Sequence, residues 1–216
     1  MTKKATYTIW GKDLDPAAIS QMEDAIHLRV SVKGALMPDA HLGYGLPIGG
    51  VLAVKDAVIP YAVGVDIACR MKLSVLPIPF LAYEKYKPVL TKALETQTKF
   101  GVGKAFSRKK QHRILDEDWS FCHVVNALKD KAHRQLGTSG SGNHFAEFGK
   151  LTLTKNDLGL KAGEYIAFLT HSGSRGPGAK IAGHYSNMAT KLHPELGKPL
   201  NNLAWLYATC EDTDFR

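Results

Sequence analysis

The chain has 216 residues, enough to bury a sizeable core as one large domain or two small ones. Hydrophobic residues at 44% and charged residues at 22% are ordinary for a globular protein, and no apolar run is long enough to span a bilayer. The N-terminus has no apolar stretch of signal-peptide length and only three cysteines are scattered along the chain, which argues against a disulfide framework and predicts cytoplasmic residence. A net charge of +8 favours an anionic partner.

In chain order, Asp15 followed by Pro16 predicts a helix start, because Asp caps well and Pro is tolerated at the first helical position. Ile19, Met22 and Ile26 then fall at helical spacing. MPDAHLGYGLPIGGVLAV predicts a Gly/Pro-rich loop running into a short apolar strand. Asp39 and His41 on alternate residues of that loop are candidates for an acid–base or supporting role, with structural use favoured for His41. AVIPYAVGVDIACRMKLSV predicts one or two buried strands broken near Gly64. Residues 80–99 and 116–136 have helical patterns joined by a basic loop, GKAFSRKKQHR.

GTSGSGNHFAEFG forms a second Gly/Ser-rich loop feeding a strand. A third, HSGSRGPG, follows the apolar run EYIAFLT and opens a helix through KIAGHYSNMATKL. Strand, loop and helix alternate without internal repeat or linker, so the predicted class is α/β.

Each Gly-rich loop carries a metal-competent side chain: Asp66 and Cys69, then Asn143 and His144, then His171. Burying an unpaired carboxylate costs several kcal/mol, so Asp66 beside Cys69 calls for a partner. A carboxylate, a thiolate and two imidazoles suit Zn²⁺, Mn²⁺ or Fe²⁺; the alternative is satisfied loop histidines and an unrelated Asp. HSGSRGPG at a helix start suits a phosphate, with Arg175 able to fork onto its oxygens; the alternative is a plain strand-to-helix turn. Cys122 and Cys210 are expected as small buried hydrophobes. No P-loop is present, and GTSGSG has the wrong order for a dinucleotide fingerprint.

From Lys85 to Arg134 there are twelve Lys or Arg against five Asp or Glu. Either a solvated surface or a nucleic-acid contact accounts for such a run, and Lys109 and Lys110 are the residues expected to test the second.

MPDAHLGYGLPIGG, VGVDIACRM, GTSGSGNHFAEFG and HSGSRG together resemble the signature blocks of the RtcB family of RNA-splicing ligases, from about residue 30 onward. The resemblance implies a mixed-sheet α/β sandwich and a GTP- and Mn²⁺-dependent ligase, with two Mn²⁺ ions expected and Zn²⁺ as a further candidate. It would join RNA 3′-phosphate or 2′,3′-cyclic phosphate ends to 5′-hydroxyl ends in RNA splicing and repair. It implies Asp66, Cys69, His144 and His171 as metal ligands, with Asp66 and Cys69 at the catalytic centre. It implies Asn143 and Glu147 as nucleotide contacts and Arg175 as the phosphate-binding arginine. Arg70 departs from the family's usual Gly after the metal-binding Cys. The family also has a further metal-binding His and a nucleophilic, guanylylated His in a C-terminal half; neither His184 nor His193 lies in that context. The 216 residues are therefore expected to be the N-terminal portion of an RtcB-like catalytic domain, unable to complete ligation alone. A non-catalytic RNA- or nucleotide-binding remnant and a metal-dependent phosphoesterase are the rival readings.

Overall fold

The computed structural model of the chain describes residues 5–194 and the backbone of Leu206 and Tyr207. The expected residue Cys210 and most of the stretch NNLAWLYATC lie outside the described residues. The fold is mixed α/β with separate small sheets, divided into two compact units. One unit comprises residues 1–67, 121–124 and 178–216, and the other comprises residues 68–120 and 125–177.

In the first unit, β1 (Thr6–Ile9) pairs in parallel with β2 (Ser31–His41), and β2 pairs antiparallel with β3 (Ile48–Val54). Helix α1 (Pro16–Ile26) begins where the sequence predicts. The Asp15 carboxylate accepts from the Ala17 N–H at 2.9 Å, filling one of the donors that a helix start leaves unpaired. Met22, Ala25 and Ile26 are buried on one stripe of the helix and pack with Leu36, Ala40 and Ile59 in the unit's core. A Cβ on Gly34 would stand 3.0 Å from the Tyr7 Cβ and 3.1 Å from the Met22 sulfur, so glycine lets β2 lie close to its neighbours.

Two expectations are corrected in this unit. Residues 37–41 are strand rather than loop: β2 continues through Pro38 across a register shift between Leu36 and His41, where a missing N–H is tolerated. The run AVIPYAV is not a buried strand. It forms β4 (Ala57–Val58), paired with β8 (Leu206–Tyr207), and then a single helical turn, α2 (Pro60–Val63). Pro60 fits the first helical position, and Gly64 at φ +97° ends the turn.

In the second unit, β5 (Arg70–Pro79), β6 (Phe145–Leu153) and β7 (Gly163–Ser172) form an antiparallel sheet in the order β5-β7-β6. Met71 and Leu73 alternate outward on β5 and are about half exposed, so this strand is not buried on both faces as expected. Ile166 and Ala167 are buried on β7, and the Phe148 and Phe168 rings meet across strands with centroids 4.7 Å apart. Helix α3 (Tyr83–Gln97) matches its sequence pattern. The second helical stretch does not: residues 116–136 resolve into a loop, α4 (His123–Asn126) and α5 (Lys129–Gln135). The Asp118 carboxylate accepts from the Ser120 N–H at 2.8 Å, and the Trp119 indole donates to the Ile114 carbonyl at 3.0 Å. Such local bonds compete with a continuous helix. Helix α6 (Arg175–Leu192) follows β7 after only two residues, because His171 and Ser172 belong to the strand rather than to a loop.

Candidate metal centre

Antiparallel pairing brings the site residues to one end of the second unit's sheet. Cys69 immediately precedes β5, and His144 immediately precedes β6, so both stand at strand starts. The central strand β7 runs the other way, and His171 lies next to its end, with Met71 and Phe145 as its register partners. Three donors from distant parts of the chain thus meet at one edge.

The Cys69 sulfur is 2.6 Å from Nε2 of His171 and 3.5 Å from Nε2 of His144. The three donor atoms all lie within 4.8 Å of one another. The imidazoles of His144 and His171 meet edge to face at 5.3 Å, and the Phe145 ring packs edge-on against His171 at 5.7 Å, fixing its plane.

This donor set fits a transition metal in chemistry and nearly in size. Sulfur at about 2.3 Å and nitrogen at about 2.0 Å from one tetrahedral ion stand roughly 3.5 Å apart. The Cys69–His144 pair already has that separation. The Cys69–His171 pair must open by about 0.9 Å, within reach of a side-chain torsion.

Arg175 stands beside the cluster. Its Nε donates to the Thr138 hydroxyl at 3.2 Å, and its Nη1 lies 3.5 Å from Nδ1 of His144. Among the described residues no carboxylate pairs with this half-buried guanidinium. Arg175 adopts φ +54°, a conformation that costs a non-glycine residue about 1–2 kcal/mol and points to a constraint from its surroundings. That constraint is visible at Gly140, φ +95°, where a Cβ would fall 2.0 Å from Nη1 of Arg175. The next residue, Gly176, donates its N–H to the buried Gln135 side chain at 2.9 Å, pinning the start of α6.

A cavity of about 470 Å³ adjoins Arg175 on the α3 side of the sheet, lined among others by Leu94, Gln97, Thr138, Phe148 and Phe168. Its walls are largely apolar, with the hydroxyls of Thr138, Ser139 and Thr170 and Arg175 also among the lining residues.

The remaining sequence candidates divide. Asn143 is exposed and adjoins His144, and Glu147 is exposed on β6, on the Phe145 face. Asp66 lies at the bend three residues before Cys69, in the first unit. Arg70 opens β5 opposite Ser172. His41 is exposed, with its Nδ1 2.9 Å from the Asp39 carbonyl of its own strand. Cys122 is buried, as expected, with its sulfur 3.3 Å from the Tyr185 hydroxyl. Thr138, Gly140 and Gln135, which hold Arg175 and its helix, escaped the sequence reading. For Thr138 and Gly140 the available signal is the alternation of hydroxyl and glycine in GTSGSG; Gln135 lies outside that stretch.

The order of these blocks along the chain and their convergence can be set beside known proteins. The family profile described as tRNA-splicing ligase RtcB matches residues 21–124 and 117–215. The chain belongs to the RtcB family. Relatives include RNA-splicing ligase RtcB homolog 1 of Entamoeba dispar, 30% identical over 216 aligned residues that cover 82% of this chain and 40% of the relative. RNA-splicing ligase RtcB of Escherichia coli K12 is 30% identical over 73% of this chain and 40% of its own length. The tRNA-splicing ligase RtcB of Archaeoglobus fulgidus is 31% identical over 70% of this chain and 39% of its own length. The chain thus spans about 40% of the length of these RtcB relatives. No helix among the described residues is long and apolar enough to cross a membrane.

Proposed function

We propose that this chain is the N-terminal part of a cytoplasmic RtcB-type RNA ligase, holding much of its metal centre. The reaction proposed is joining of an RNA 3′-phosphate or 2′,3′-cyclic phosphate end to a 5′-hydroxyl end with GTP and Mn²⁺, as in tRNA splicing and RNA repair. The observation that carries this reading is the convergence of Cys69, His144 and His171, with Arg175 beside them, in a chain of this family.

Each residue has a role its chemistry supports. Cys69 as thiolate and His144 and His171 as neutral imidazoles would hold one ion, and Asp66 would bring a carboxylate to it or to a second. When bound, such ions supply charge neutralisation at phosphoryl oxygens. Arg175 has a hydroxyl and an imidazole as its side-chain partners rather than a carboxylate, so its remaining N–H donors are available to a phosphate. Asn143 would donate its amide to a phosphate, and Glu147 would accept from the amino or imino hydrogens of a guanine. The covalent guanylylation step is assigned to residues outside these 216.

Calorimetric titration with MnCl₂ and with ZnCl₂ tests the reading. The 216-residue chain should bind near one ion or more per chain, and Cys69→Ala and His144→Ala should each weaken binding at least tenfold. RNA carrying a 3′-phosphate should bind more tightly than the same RNA with a 3′-hydroxyl, and Arg175→Gln should erase that preference. Metal binding insensitive to both substitutions overturns the site.

A further inference from the structure

The basic segment of residues 99–113 contains six Lys or Arg and no carboxylate. A solvated loop would be loosely attached, but this one is fastened at both ends. Near its start, the Ser139 N–H donates to the Lys99 carbonyl at 2.9 Å and the Gly101 N–H to the Gly140 carbonyl at 2.6 Å. It therefore begins against the same GTSGSG loop that cradles Arg175 and leads into His144. Further on, the Phe106 N–H donates to the Arg134 carbonyl at 2.8 Å and the Lys110 N–H to the His133 carbonyl at 3.3 Å, tying it to α5. Phe106 is buried, with the ammonium groups of Lys110 and Lys99 4.7 and 5.4 Å from its ring centroid.

The cations along it are not equivalent. Lys109 pairs with Asp130, which Arg134 also grips at 2.9 Å. Lys99 and Lys110 are committed to Phe106. Lys104, Arg108 and Arg113 are exposed and make no side-chain hydrogen bond or ion pair among the described residues. Phe100, next to the Gly140 pairing, leaves 46% of its surface exposed. An exposed aromatic paired with the loop that cradles Arg175, followed by three uncompensated cations on an anchored backbone, is the pattern that binds single-stranded nucleic acid.

We propose that residues 99–113 are a track for the single-stranded RNA whose 3′ end the metal centre receives. Phe100 stacks a base near that end, and Lys104, Arg108 and Arg113 contact successive phosphates without reading sequence. The proposal rests on the RNA-end reading above and adds where the chain leads away from the site. It also shifts the expected phosphate contacts away from Lys109, which already pairs with Asp130.

The test is fluorescence anisotropy of a labelled single-stranded RNA with a 3′-phosphate, titrated with the 216-residue chain across a salt series. Each phosphate contact on a single strand contributes about 0.7 to the slope of log K against log salt. The Lys104→Gln/Arg108→Gln/Arg113→Gln variant should therefore flatten the slope by about 2. A Lys87→Gln/Lys92→Gln/Lys155→Gln variant should leave it unchanged. Phe100→Ala should lower affinity about tenfold with the slope intact. An unchanged slope in the first variant, or equal flattening in both triple variants, overturns the track. Equal affinity for duplex DNA, with the same loss, overturns its single-strand character. If the first variant flattens the slope but 3′-phosphate and 3′-hydroxyl RNAs bind alike, the track stands and the RNA-end reading falls.

Discussion

Gly140→Ala probes how Arg175 is positioned. An alanine there must adopt φ +95°, and its Cβ would fall 2.0 Å from Nη1 and 2.4 Å from Cζ of Arg175. A contact of that length cannot persist, so the guanidinium must leave Thr138 and His144. Backbone strain of about 1–3 kcal/mol and loss of a charge-assisted hydrogen bond, at the low end because the site is half exposed, give an expected destabilisation of about 2–4 kcal/mol. Gly142→Ala is the matched comparison: φ is +76° but nothing lies within 4 Å of the added Cβ. It should cost only the strain, about 1–2 kcal/mol. Urea unfolding measures both variants, and anisotropy with 3′-phosphate RNA reads the positioning of Arg175 separately from stability. Gly140→Ala should lose the preference for the 3′-phosphate, whereas Gly142→Ala should keep it. Equal destabilisation by the two, with the preference retained in both, would refute the claim that Gly140 exists to make room for the guanidinium.

Two further outcomes follow from packing and charge. Met22 is fully buried in the first unit's core, so Met22→Ala should destabilise by about 2–5 kcal/mol in urea unfolding, and a loss below about 1 kcal/mol would mean the site collapses onto α1 without a cavity. Asp130 is held below the ordinary carboxylate value of 3.8, chiefly by the Lys109 hydrogen bond with Arg134 adding to it. Its ionised form therefore contributes stability above pH about 4 that is lost as pH falls through its lowered folded pKa. In a carboxyl NMR titration, Lys109→Gln should raise the Asp130 pKa toward 3.8, and an unmoved value would show that the pair is not formed in solution.

What the sequence made legible was chemistry attached to local pattern. Asp15-Pro16 announced α1 because capping and the proline rule act within a few residues. The metal-competent set was grouped because unusual polar residues sat in glycine-rich loops beside apolar runs. What stayed hidden depended on partners distant in the chain. Met71 and Leu73 are half exposed despite the apolar run they sit in, because apolar content says nothing about which sheet face is covered. The helix expected over residues 116–136 failed because Asp118 and Trp119 bond locally, a choice that helical periodicity cannot register. Thr138 and Gly140 gained their contact with Arg175 only when that residue, thirty-five positions beyond Gly140, folded against them.

The electrostatic character of the second unit follows from what its cations lack. Exposed Lys109 and Arg134 have Asp130, and Lys150 has Glu164. Arg175, at the cluster, is fixed by a hydroxyl, an imidazole and a close glycine, none of which carries negative charge. Lys104, Arg108 and Arg113 likewise have no carboxylate partner among the described residues, on a segment whose backbone starts against Gly140. Neutral partners orient a cation without satisfying its charge, so the interaction energy stays available for an arriving anion. A carboxylate at either place would stabilise the empty protein and compete with the ligand. The distribution of acids therefore matters to the proposed site: paired cations brace α5 and the sheet edge, and unpaired ones stand on the segment proposed as the RNA track and, as Arg175, beside His144.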